Sequence, residues 1–223
     1  MKMIPDKSGR FPERPFYETE ELEEECERII ESFLMSRYGQ YAIPVPTAAL
    51  VELLERETEQ VDLYCDLSGE GEEVHGVTEF FPGRKPRVSI ARELSYQHWR
   101  EHRKRSTLPH EYGHVHWHTW LFDRYRSRQE RHKCLRGQIT PGDGVYWMEW
   151  LAGYVSGAML MPRSRLQLHV GAFCAEQGVS GPFDLESIEG RLLIERTGEL
   201  FNASAEAAAM RLRQLGQLCD ASS

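Results

Sequence analysis

From Thr19 the apolar residues return at intervals of three and four: Leu22, Cys26, Ile29, Ile30, Phe33, Leu34 and Tyr38. Residues so spaced share one side of an α-helix, so an amphipathic helix is predicted here, opened by acids and stopped at Gly39. Past Pro44 and Pro46 a shorter helix follows, with Thr47 as its N-cap and Leu50, Leu53 and Leu54 turned inward. The period then drops to two. Apolar and polar residues nearly alternate over 61–67, and Gly-rich loops lead on to strand-like stretches at 76–81 and 87–92. A small, antiparallel sheet of about three strands is the expectation. Beyond it the pattern is helical again, over roughly 107–122, 145–161, 185–201 and 205–217. The predicted fold class is α+β, with helices before and after a small sheet. Residues 1–17, with three prolines and little periodicity, read as a loose arm.

Composition narrows the function more than the fold. The 223 residues suffice for one substantial core, and no apolar run is long enough to span a bilayer. The first 20 residues lack the apolar centre of a secretory signal. Five cysteines are scattered without a CxxC pair, which fits reduced thiols and a cytoplasmic location. A formal net charge of -8 disfavours a general nucleic-acid coat, since phosphate binding draws on Lys and Arg. The charge is uneven, however. Residues 18–31 are acid-rich, while 124–136 carry Arg124, Arg126, Arg128, Arg131, Lys133 and Arg136. That basic stretch reads as a solvated loop, with partner or nucleic-acid contact as the lesser alternatives.

The chemistry gathers in His110-Glu111-Tyr112-Gly113-His114, an HExxH sequence. On a helix the two histidines lie one turn apart on one face and can share a tetrahedral zinc, while the glutamate reaches the open position. Zinc brings the pKa of bound water towards neutrality, and a carboxylate beside it can act as general base. Ser106 is a credible N-cap, which would put Pro109 at the third helical position, where its missing N–H costs nothing. A catalytic zinc takes a third protein ligand. The candidates are His116, His118, Glu130, His132, Cys134, Asp143 and Glu149. One straight helix does not easily wrap three ligands around one ion, which disfavours His118. Glu149 opens an apolar helix, where a carboxylate needs a partner, and small residues at 152, 153 and 156–158 suit a close helix approach. Glu149 is the favoured third ligand.

HEYGH, then Glu149-x-x-Ala152-Gly153 and Met159-Leu160-Met161-Pro162, together resemble the ImmA/IrrE family of zinc metallopeptidases over roughly residues 20–165. Pro109 stands where that family usually has Ala, and Gly153 where it usually has Asn or Asp. The resemblance implies a zincin-like, mainly helical domain over 18–165 and a helix-turn-helix-like segment over 166–223. It implies Zn2+ held by His110, His114 and Glu149, with Glu111 as catalytic base. It further implies peptide-bond hydrolysis in an intracellular protein, a transcriptional repressor being the substrate class suggested. The competing expectation is a non-proteolytic zinc protein that docks a partner. His118, Tyr112, Tyr146 and Tyr154 are candidates for oxyanion stabilisation or for support behind the ligands. The C-terminal helices carry only Arg211 and Arg213 in the second of the pair, so packing or partner docking is expected there before DNA reading. Trp117, Trp120, Trp147 and Trp150 read as core rather than as a substrate platform.

Overall fold

The structure, a computed structural model, describes residues 1–71, 73–125, 130–135 (backbone only) and 146–219. It is α+β, with eight helices and small sheets among the described residues. By contact density the chain divides into two compact units, Met1–Glu24 with Thr47–Ser156, and Glu25–Pro46 with Gly157–Ser223.

Residues 1–17, read above as a loose arm, form a hairpin of β1 (Lys2–Pro5) and β2 (Glu13–Phe16). Its turn is closed locally. The Asp6 carboxylate accepts from the backbone N–H groups of Ser8 and Phe11, at 3.0 Å each, and from the Ser8 hydroxyl. Phe11 is buried against Phe122 and Trp147 in an aromatic cluster with Phe80. The prolines lower periodicity without preventing strand pairing, because two strands paired only to each other leave N–H positions unused.

Helix α1 (Thr19–Tyr38) matches its predicted bounds. Helix α2 runs Thr47–Glu57, with Thr47 as its first residue rather than its N-cap, since the Thr47 hydroxyl bonds to Glu101 and Arg105 instead of the helix's own backbone. Buried Ala49, Leu50, Leu53 and Leu54 give α2 its inner face. The sheet is larger than expected and mixed in direction. Its strands are β3 (Gln60–Cys65), β4 (Val74–Phe80), β5 (Arg87–Ala91) and β6 (Glu130–Leu135), in the order β3-β5-β4-β6. β5 enters the gap between β3 and β4, so it runs parallel to β3 and antiparallel to β4. Alternation along a strand reports its period, not its neighbours, and the order was not readable from it. β6 falls inside the basic stretch taken above for a solvated loop. Its backbone pairs with β4 from Glu130 opposite Phe80 to Leu135 opposite Val74.

After the short α3 (Arg92–Tyr96), α4 (Glu101–Tyr125) begins almost two turns before the predicted start. Ser106 is not its N-cap; its hydroxyl instead donates to the Arg103 carbonyl. Pro109 consequently lies in the helix interior, where it removes one main-chain hydrogen bond. α4 is anchored to α2 by Thr47, whose hydroxyl donates to Glu101 at 2.6 Å and accepts from buried Arg105 at 2.9 Å. Helix α5 (Tyr146–Leu160) follows.

The second unit holds α6 (Arg163–Gln177), α7 (Ile188–Phe201) and α8 (Ala205–Gln214), with the two-residue strands β7 (Phe183–Asp184) and β8 (Leu218–Cys219) paired in parallel. α6 was not predicted, although Leu166, Val170 and Phe173 supply its buried face. Ser187 and Ser204 cap α7 and α8 by accepting from Gly190 and Ala207. Between them Asn202 takes a left-handed conformation, φ 51°, which tolerates Asn better than most side chains. Arg211 on α8 is 1 % exposed and donates to the Met161 carbonyl at 3.0 Å, so it faces the interior of this unit.

Candidate metal centre

The centre is built inside the first unit, from α4, α5 and β4. His110 and His114 lie one turn apart on α4, and their Nε2 atoms are 3.1 Å from each other. Glu149, from the first turn of α5, sets Oε2 at 3.1 Å from His110 Nε2 and Oε1 at 3.2 Å from His114 Nε2. One donor atom from each residue lies within 4.8 Å of the others, a group that could hold a metal ion. Donors about 2.0–2.1 Å from a tetrahedral ion stand roughly 3.3 Å apart, so the observed spacing suits one small cation. A pair of imidazole nitrogens and a carboxylate is also a donor set that zinc accepts. His114 is wholly buried and Glu149 nearly so, while the His110 side chain keeps 15 % exposure, so the cluster opens on the His110 side.

Charge is shared between His110 and Glu149. Burial opposes a charged His110 ring, but the hydrogen bond and charge of Glu149, with the charge of Glu111 behind them, raise its pKa above the ordinary histidine value. A proton or a metal ion answers the same need, a positive charge beside the carboxylate.

Close helix packing brings α5 in. A Cβ on Gly113 would stand 2.9 Å from the Ala152 Cα, closer than real Cβ contacts come, so the glycine within the motif permits the approach that delivers Glu149. One turn further along α5, Ser156 donates to the Ser106 carbonyl at 2.8 Å. The small residues noted at 152 and 156 thus lie at the helix contact.

Glu111 is fully buried on the face of α4 turned to β4. A Cβ on Gly76 would fall 2.3 Å from Glu111 Oε1, so only glycine leaves room for the carboxylate. Two residues along the same face of the strand, the Thr78 hydroxyl donates to Glu111 Oε2 at 2.5 Å. Neither Gly76 nor Thr78 was singled out from the sequence. The only available signal was an isolated glycine in a strand, which marks close approach without naming what approaches.

The remaining candidates fall elsewhere. His118 sits behind His114 rather than among the converging donors, Nδ1 to Nδ1 at 3.1 Å. The Tyr112 hydroxyl donates to Glu57 at 2.7 Å, and Glu57 also meets His116 Nδ1 at 2.9 Å. Burial opposes the charge on Glu57, but those two partners outweigh it and hold the carboxyl below its ordinary range. His116 is thereby committed to α2 rather than to the centre. Tyr154 donates to buried Glu23, and Tyr146 is exposed at the start of α5. Trp117 and Trp147 are buried, while Trp150 is exposed and stacks on Tyr154. The side chains of Glu130, His132 and Cys134, and all of Asp143, lie outside the described residues, as do residues 126–129 and 136 and the side chains of 130–135 in the basic stretch 124–136.

No family model matches the chain, and no curated protein matches it. Among the described residues no helix is long and apolar enough to cross a membrane.

Proposed function

We propose that the chain is a zinc-dependent endopeptidase of the ImmA/IrrE type, with a zincin-like core, that cleaves an intracellular protein such as a transcriptional repressor. One observation carries the reading: His110, His114 and Glu149 converge at ion-binding distance, while Glu111, next to His110 in sequence and with its charge felt at that ring, is a second carboxylate held separately by Thr78. A purely structural zinc site has no use for that second carboxylate. When bound, zinc supplies Lewis acidity, polarising a carbonyl and acidifying an attacking water. Glu111 takes the proton of that water and passes it to the leaving amide nitrogen. Thr78 fixes the rotamer of Glu111, and Gly76 leaves the space in which the carboxylate lies. The open side at His110 is where a peptide would enter.

Elemental analysis tests the metal, and cleavage tests the base. Wild type should carry one zinc per chain, and His114→Ala and Glu149→Ala should lose it. Glu111→Gln should keep the zinc yet fail to cut a repressor co-expressed with it. A Glu111→Gln protein that cuts at the wild-type rate rules out this role for Glu111. A zinc-replete wild type that acts on its partner without cutting it supports the partner-docking alternative instead.

A further inference from the structure

His118 stands one turn beyond His114 on α4, and the two rings face each other through Nδ1, 3.1 Å apart. Both residues are wholly buried. His114 turns its other nitrogen, Nε2, to His110 and Glu149, at 3.1 and 3.2 Å. A neutral imidazole carries a single N–H, and a nitrogen that binds metal must offer its lone pair. With Nε2 as the ligand atom, the His114 proton sits on Nδ1, and the facing Nδ1 of His118 has to accept it. His118 then carries its own proton on Nε2. Its ring is held from the side by Trp147, which stands edge-on with centroids 5.3 Å apart and planes at 89°. Trp147 belongs to the same buried cluster as Phe11, Phe80 and Phe122, so the wall behind His118 is close-packed.

We propose that His118 is a positioning residue of the metal centre. By accepting the Nδ1–H of His114, it fixes the tautomer that presents Nε2 to the ion, and so sets how tightly the ion is held. The inference rests on the metal-site reading above. Three histidines on successive turns of one helix thus take two roles, His110 and His114 as ligands and His118 as the acceptor that orients the second. A ligating imidazole commonly finds a carboxylate, carbonyl or water in that place. Here a neutral ring does the same from the ligand's own helix.

Competition for zinc against a chromophoric chelator tests this with wild type, His118→Leu and His118→Asn. Leucine fills the volume but accepts no hydrogen bond, whereas asparagine can set its carboxamide oxygen near the Nδ1 position. Loss of the acceptor should weaken zinc binding about 10- to 100-fold in the Leu variant, and the Asn variant should recover most of it. If His118 only fills space, Leu will bind as wild type does and Asn will be the weaker, which overturns the proposal. Wild type that takes up no zinc overturns the metal-site reading, and this proposal with it; the variants isolate His118 alone. Should the Leu variant not fold, ring-nitrogen NMR of the zinc-loaded wild type decides. A proton on His118 Nε2 is the result expected, and a proton on Nδ1 overturns it.

Discussion

Two glycines assemble the centre by leaving out a Cβ. Gly113 lets the backbone of α5 come against α4, and Gly76 gives the Glu111 carboxylate its place against β4. Gly113→Ala should therefore cost about 1–3 kcal/mol of stability, the usual cost of overpacking a tight contact. It should also weaken metal binding, because the helix it displaces carries Glu149. Chemical denaturation with and without zinc would read both effects, and an unchanged midpoint would mean that the helices do not meet there. Thr78→Val removes the donor to a buried carboxylate and should cost about 1–3 kcal/mol, with Thr78→Ser recovering most of it. At this scale the sequence was legible where chemistry imposes a spacing. The convergence of His110, His114 and Glu149 was legible, the histidines from helical spacing and Glu149 from the oddity of an acid in an apolar helix. Gly76 and Thr78 were not legible, since their importance depends on which helix lies over the strand, and no local pattern states that.

Elements declared themselves according to how much of their pattern is local. α1 and α2 carry clean apolar stripes; α1 was read within a residue of both ends and α2 at its start. α4 was not, because Pro109 reads as a first-turn residue while the helix runs through it. Pro109→Ala should restore a main-chain hydrogen bond and raise stability by up to about 3 kcal/mol, measured by thermal melting. A fall would show that the buried ring of Pro109 is worth more than the bond. β6 escaped notice because its residues are mostly polar and its strand character comes from pairing with β4. A C-terminal pair of helices joined by a short turn was foreseen, and Arg211 is part of its packing. With its guanidinium spent on the Met161 carbonyl, it is a structural cation. Arg211→Ala should destabilise by about 1.5–3 kcal/mol, the range for a hydrogen bond from a charged group, whereas Arg213→Ala, at an exposed position, should cost much less. Equal effects of the two would argue that Arg211 is not buried in solution.

For the molecule as a whole, pH should act in opposite directions on the metal-free and metal-loaded forms. The pKa of His110 is raised in the folded chain, so its pairing with Glu149 stabilises the metal-free form below the ordinary histidine pKa, about 6.5. That contribution fades as pH rises through the raised value. Metal uptake needs the deprotonated ring and strengthens over the same interval. The gap in Tm between zinc-loaded and chelator-treated protein should therefore widen from about pH 6 to about pH 8. An unchanging gap would remove His110 from the ligand set.

The ligands also lie far apart along the chain, 39 residues separating His110 from Glu149. An ion held between them would be a reversible cross-link closing that loop, in the way a disulfide does. By chain entropy alone such a closure is worth about 4 kcal/mol. A metal centre of this kind would thus also serve as a clasp, and withdrawal of the ion would loosen the packing of the two helices that it joins.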